Sequence, residues 1–127
     1  MKKILSIILL IFLIPNISSA KSIKEAYFAG GCFWCVEEFF DQVKGVEEVI
    51  SGYSGGKTQN PTYKEVTYGN TGHFETVKII YDEDIINYKG LLNFYWQNID
   101  PFDAAGQFCD KGSSYRSVAF YKTQNEK

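Results

Sequence analysis

No block of five or more basic residues occurs in the 127-residue chain, and nothing in it is low in complexity or internally repeated. The first absence argues against nucleic acid as a partner. The second leaves a single globular domain as the natural reading of this length. A membrane span is not expected either: the longest apolar run, Ile4 to Ile14 with one break at Ser6, falls short of the roughly 20 residues a bilayer needs. Lys2 and Lys3 before that run, with Pro15 and Ser18-Ser19-Ala20 after it, make it a secretory signal peptide. Residues 1–20 are therefore expected to be removed and residues 21–127 to fold, with a retained N-terminal anchor as the alternative. No cysteine stands at the expected cleavage point, which argues against a lipid-anchored form. Loss of the signal removes two lysines and no acid, leaving 11 basic against 15 acidic residues and a formal charge of −4. The exported chain is expected to be periplasmic or secreted, a monomer, and without stable membrane association.

Cysteine is scarce as well. Cys32, Cys35 and Cys109 all lie in the exported part and would meet an oxidising compartment. An odd number leaves at least one thiol outside any internal bridge, a poor arrangement for a structural disulfide framework. Aromatic residues, by contrast, are abundant: nine tyrosines and ten phenylalanines suit a dense core or an aromatic-lined site.

The stretch around which the chain is organised is Ala29-Gly30-Gly31-Cys32-Phe33-Trp34-Cys35. It is followed by Val36 to Val43, which reads as an amphipathic helix with Cys32, Val36, Phe39 and Val43 on one stripe. At a helix N-terminus the unpaired N–H groups and the dipole favour a thiolate over a thiol. The two glycines permit a tight turn and leave the sulfur uncovered. Cys32 is thus read as a nucleophile. Two other readings of the residues stay open: a cysteine buried in an aromatic core, and a Cys-X-X-Cys redox pair in which one helical turn brings Cys32 and Cys35 within reach of a disulfide.

In chain order, Glu25–Ala29 reads as a strand, Lys44-Gly45 as the end of the first helix, and Val46–Tyr53 as a second strand. The glycine-rich connection 52–72 is long enough to suggest function. Within it, Asn60-Pro61-Thr62-Tyr63 looks like a cap and first turn with Pro61 at the first helical position, which would hold Tyr63 in place. His73–Tyr81 is a third strand whose alternation puts Glu75, Val77, Ile79 and Tyr81 on one face. Glu75 then heads an otherwise apolar row, where desolvation would raise its pKa and suit it to act as a general acid. Alternation alone leaves open that it sits in water at the strand's end. Asn87 caps a second helix with Tyr88, Leu91, Leu92, Tyr95, Trp96 and Ile99 on the core stripe, and Asp100-Pro101 ends it. A loop from Phe102 to Ser114 carries Cys109 and Asp110, and Ser117–Tyr121 closes as a fourth strand. The order β-α-β-β-α-β points to a ferredoxin-like α+β sandwich, with Cys32 at the N-terminus of its first helix.

Five stretches together resemble the A-type peptide methionine sulfoxide reductases: Gly31-Cys32-Phe33-Trp34, Gly52-Tyr53-Ser54-Gly55-Gly56, Asn60-Pro61-Thr62-Tyr63, Thr71-Gly72-His73-Phe74-Glu75 and Asp110 to Ser117. They occur in the family's order and span about residues 25–121. The resemblance implies that residues 21–127 form that family's catalytic domain and reduce methionine-S-sulfoxide, in proteins or free. Cys32 would attack the sulfoxide sulfur and become a sulfenic acid. Glu75 would protonate the departing oxygen, Tyr63 and Tyr115 would hydrogen-bond it, and Asp110 would support the polar network. Phe33 and Trp34 would form the pocket for the S-methyl group. The implied partners are oxidised proteins or peptides and a thioredoxin-like reductant, with no cofactor and no metal.

Three departures bear on regeneration. Many members have glycine where this chain has Cys35, their resolving cysteine lies in a C-terminal extension, and glutamine is common where this chain has Ser114. Lys127 comes shortly after the fourth strand, so the expectation is a domain truncated at its C-terminus. The sulfenic acid then falls to Cys109, to Cys35 or to an outside thiol. Cys109 is preferred because it adjoins Asp110 in a loop that can swing in. Two further readings stand beside this one: a general thiol–disulfide oxidoreductase using Cys32 and Cys35, and a zinc module using Cys32, Cys35, Cys109 and His73.

Overall fold

The computed structural model describes residues 20–127, so the expected signal segment lies, apart from Ala20, outside the described residues. The elements in order are β1 (Ile23–Ala29), α1 (Phe33–Asp41), β2 (Val46–Ser54), α2 (Tyr63–Tyr68), β3 (Phe74–Asp82), α3 (Tyr88–Gln97), β4 (Gly106–Gln107), β5 (Asp110–Lys111) and β6 (Val118–Phe120). A 3-10 turn at Ser113–Tyr115 precedes β6. Four strands form one antiparallel sheet in the order β2-β3-β1-β6. Each helical crossover skips one strand: α1 carries the chain from β1 past β3 to β2, and α3 carries it from β3 past β1 to β6. This is the expected split β-α-β pair of a ferredoxin-like sandwich. No helix among the described residues is long and apolar enough to cross a membrane.

The buried row read in β3 holds: Glu75, Val77, Ile79 and Tyr81 are buried, while Phe74, Lys78 and Ile80 on the other face are partly exposed. Thr76, read with that other face, is buried as well, with β1 and β2 paired on either side of it. Against that face, Phe28 on β1 stacks on Phe40 of α1 and on Tyr95 of α3, with ring centroids 5.5 and 4.9 Å apart. The Tyr95 hydroxyl donates to the Ala29 carbonyl at 2.6 Å, tying α3 to the turn that precedes Cys32.

Four local expectations need correction. Helix α1 begins at Phe33 and stops at Asp41, two residues before Val43. The turn that follows needs the left-handed backbone of Gly45, at φ 98°, which no side chain favours. Pro61 is not the first helical residue. Thr62 is the cap of α2: its hydroxyl accepts the Glu65 N–H, and the Glu65 carboxylate accepts the Thr62 N–H at 2.7 Å. A proline one place earlier leaves that reciprocal cap free to form. Trp96 is 47% exposed, because the apolar stripe of α3 is wider than its contact with the sheet. Finally, segment 102–114 is not all loop, since β4 and β5 pair as a short hairpin.

Candidate active site

Cys32 stands at the hinge between β1 and α1. The preceding Gly31 has φ 91°, and a Cβ placed on it would lie 2.9 Å from the Gln107 side chain, so both conformation and space require glycine there. Cys32 is the N-cap residue of α1, with its carbonyl accepting the Cys35 and Val36 N–H groups at 3.0 and 3.2 Å. Its side chain makes no capping bond, so the sulfur stays available. The Phe33 N–H, which no helix carbonyl can satisfy, donates to Glu75 Oε2 at 3.0 Å.

That bond joins the acid to the thiol's own helix end. Glu75 is 1% exposed, and its Oε1 is buried with no partner. Burial pushes its carboxyl above the ordinary range, with the Phe33 N–H pulling the other way and the Asp110 charge adding to the rise. The open alternative, a solvated Glu75, is therefore corrected: the strand end is covered by the start of α1. Tyr53 sits opposite Glu75 on β2, and burial followed by the Glu75 charge raises its phenol. The Tyr115 phenol is pushed up to about 12, by burial first and then by its hydrogen bond with Tyr63 and the Glu75 charge.

Beside these groups lies a half-open aromatic cluster. Phe33 packs against Trp34, Tyr53 and Tyr63 with centroids 5.2, 5.7 and 6.1 Å apart. Phe33 is buried, whereas Trp34 is 61% exposed and stacks on Tyr63 at 6.0 Å. Such a surface fits a small apolar group flanked by an oxygen.

On another side, Cys32, Cys35 and Cys109 share one cavity of about 180 Å³, together with Gly31, Gln107 and Asp110. All three thiols are free. The Cys35 thiol is raised by burial first, and then by the charge and hydrogen bond of Cys32. The zinc quartet is not assembled. His73 is engaged elsewhere, with Gly56 and Thr58. Among the described residues, no group of three or more metal-ligating side chains is arranged around a common point.

The sequence pattern of the peptide methionine sulfoxide reductase family matches residues 24–127. The chain belongs to the A-type peptide methionine sulfoxide reductases. Peptide methionine sulfoxide reductase MsrA of Listeria monocytogenes serotype 4b (strain CLIP80459) is 54% identical over 107 residues, which cover 84% of this chain and 60% of that protein. The protein of the same name from Bacillus subtilis (strain 168) is 54% identical over 102 residues, 80% of this chain and 58% of that one. Among solved structures, methionine sulfoxide reductase A of Corynebacterium diphtheriae superposes with a TM-score of 0.78 at 31% identity, covering 85% of this chain and 51% of that chain. Reduced Mxr1 from Saccharomyces cerevisiae gives 0.77 at 28% identity, covering 85% and 64%. The chain thus spans about 60% of the length of the curated relatives it matches.

In this family member the fold gathers the residues given a role in the reduction around one helix end: Cys32 at the N-cap of α1, Phe33, Trp34 and Cys35 in its first turn, Tyr63 on α2, Glu75 on β3, and Cys109, Asp110 and Tyr115 after α3. Three contributors were given no role from the sequence. Gln107 is buried, donates from Nε2 to the Asp100 and Gly106 carbonyls, and accepts the Asp100 N–H, all at 2.7–2.8 Å. It thereby fixes the Cys109 segment against Gly31. Tyr53 could have been found from strand register, once β2 was paired with β3. Thr67, one turn after Tyr63 in α2, offsets part of the rise at Tyr115 and keeps its own hydroxyl buried without a partner, and no local sequence signal marks it.

Proposed function

We propose that this chain reduces methionine-S-sulfoxide, free or within oxidised proteins, by thiol chemistry at Cys32. One observation carries the reading. Glu75 holds one oxygen on the N–H of the residue after Cys32 and keeps the other buried, unpaired and inclined to carry a proton. A sulfoxide oxygen leaves poorly until protonated, so thiolate and acid must act on the same molecule from fixed positions. Phe33 and Trp34 receive the S-methyl group, and the Tyr63 and Tyr115 hydroxyls hold the oxygen. Cys32 attacks the sulfur while the Glu75 proton passes to that oxygen. The resulting hydroxyl passes to the Cys32 sulfur as the bond between the two sulfurs breaks, so methionine leaves with the two electrons Cys32 gives up and Cys32 is left as a sulfenic acid. Asp110, on the cysteine cavity, keeps the surrounding field negative and so favours a protonated Glu75.

For the next step the geometry favours Cys35 over the Cys109 preferred from sequence. Cys35 stands one helical turn from Cys32, with its N–H on the Cys32 carbonyl at 3.0 Å, and both line one cavity with Cys109. The Cys35 sulfur attacks the sulfenic acid, water leaves, and a Cys32–Cys35 disulfide forms. A thioredoxin-like dithiol then reduces that bridge and becomes a disulfide itself. The signal-like N-terminus supports export, and we take the exported chain to act as a monomer.

The test is a single turnover with the reduced protein and the S-epimer of a methionine sulfoxide peptide. About one methionine or more per chain is expected, and a folded protein that yields none would sink the reading. Peptide mapping after that turnover is expected to find Cys32–Cys35. A Cys32–Cys109 bridge would return the resolving role to Cys109.

A further inference from the structure

His73 is the one histidine of the chain, and the proposed chemistry leaves it unused. It lies two residues before Glu75, and its ring reaches back over the glycine-rich connection. The Gly56 N–H donates to Nδ1 at 3.2 Å, and Nε2 lies 2.8 Å from the Thr58 carbonyl. A carbonyl can only accept and a backbone N–H can only donate. Both bonds therefore need a neutral ring protonated at Nε2 alone. Two more bonds brace the same place: the His73 N–H to the Thr71 hydroxyl at 3.2 Å, and the Lys57 N–H to the Thr71 carbonyl at 3.2 Å. A Cβ on Gly56 would run into the His73 ring and backbone, so glycine there is the space the ring occupies. Five residues beyond Thr58 stands Tyr63, which opens α2 and is 43% exposed.

We infer that His73 is a positioning residue: its imidazole clamps segment 54–60 to the start of β3, and through the reciprocal cap at Thr62 it sets Tyr63 over Glu75. The clamp joins three of the separate motifs. Gly56 belongs to the first, Tyr63 to the second, and His73 with Glu75 to the third. One ring couples the loop that carries an oxygen-holding hydroxyl to the strand that carries the acid. Without it Tyr63 keeps its aromatic neighbours but loses its fixed distance from Glu75. The consequence is a loss in the chemical step, with little loss in fold, since α2 is capped by its own residues.

This inference rests on the reductase reading, and its experiment separates the two. The wild-type imidazole is observed by nitrogen-15 NMR at neutral pH, with hydrogen exchange followed at the Gly56 and Lys57 amides. Single turnovers are then compared for wild type, His73→Ala, His73→Asn and Gly56→Ala. The expected spectrum shows the Nε2–H form, and the Gly56 and Lys57 amides are protected. His73→Ala and Gly56→Ala lose that protection, and their methionine-forming rate falls on the order of ten- to a hundredfold, with substrate affinity changed much less. His73→Asn recovers part of the rate, because its side-chain oxygen can still accept the Gly56 N–H. An Nδ1–H form in the wild type, or a folded His73→Ala variant turning over at the wild-type rate, would overturn the clamp. The spectrum decides even where the alanine variant does not fold. Wild-type protein that shows the Nε2–H form and protected amides but yields no methionine would instead remove the reductase reading and leave the clamp standing.

Discussion

Two aromatic clusters, both anchored on α1, share their residue types and differ in almost everything else. Around Phe28 the rings of Phe40, Tyr88 and Tyr95 stack in the interior between sheet and helices. Around Phe33 the rings of Trp34, Tyr53 and Tyr63 meet at similar spacings, but the cluster is open and Trp34 lies mostly in solvent. The first is closed over, with Phe28, Phe40 and Tyr95 fully buried. The second belongs to element ends: the N-terminus of α1, the close of β2 and the start of α2. Aromatic density alone does not make a site. An uncovered helix end beneath the rings does, because it supplies unpaired N–H groups and leaves room for a ligand.

The comparison can be broken most severely at the open cluster's thiol. Cys32→Ser is expected to abolish methionine formation in single turnover while leaving the melting temperature close to that of the wild type. A large fall in melting temperature would mean that Cys32 is structural. Glu75→Gln comes next, with an expected rate loss of roughly a hundred- to ten-thousandfold if Glu75 is the proton donor. The same variant reports on stability. The folded carboxyl is held above its ordinary range, so the native protein keeps a proton that the unfolded chain has already released. Stability should therefore fall as pH rises from the unfolded carboxyl's range through the folded one. Denaturant titrations across that window should show the slope in the wild type and lose it in Glu75→Gln.

The closed cluster answers differently. Phe28→Ala is expected to cost about 3–5 kcal/mol, read as a shift in the denaturation midpoint, because the cavity cannot collapse within a packed layer. Trp34→Ala should cost no more than about 0.5 kcal/mol, as for other solvent-facing side chains. Its effect should appear instead as weaker substrate binding, measured as a raised KM. If Trp34→Ala destabilised the protein as much as Phe28→Ala, the distinction between the two clusters would be lost.

Much of the fold was legible because its signals are local. The near-alternation from Phe74 to Tyr81 announced a strand with one buried face, and Asn87 before an apolar helical stripe announced α3, whose cap bonds the Gly90 N–H at 2.9 Å. The start of α2 was misjudged by two residues, because Asn60-Pro61 also reads as a cap and first helical position and only the Thr62–Glu65 pair decides it. The β4–β5 hairpin was missed because two-residue strands have no periodicity to read.

The residue types of the site, and their association in five short motifs, were determined by the sequence alone. Cys32 ahead of an amphipathic helix and Glu75 at the head of an apolar row each imply their chemistry from covalent neighbours, since helix ends and strand faces are local properties. What brings these groups together was decided only by the tertiary structure. Sheet order sets β3 beside β1, so that Glu75 reaches the Phe33 N–H across a separation of 42 residues. The crossover through α3 returns Cys109 to the cavity of Cys32, and the first turn of α1 sets Cys35 on the same cavity. Burial, which raises the Glu75 carboxyl, arises from those same long-range contacts. No stretch of chain carries that information by itself, because desolvation depends on which distant surfaces meet.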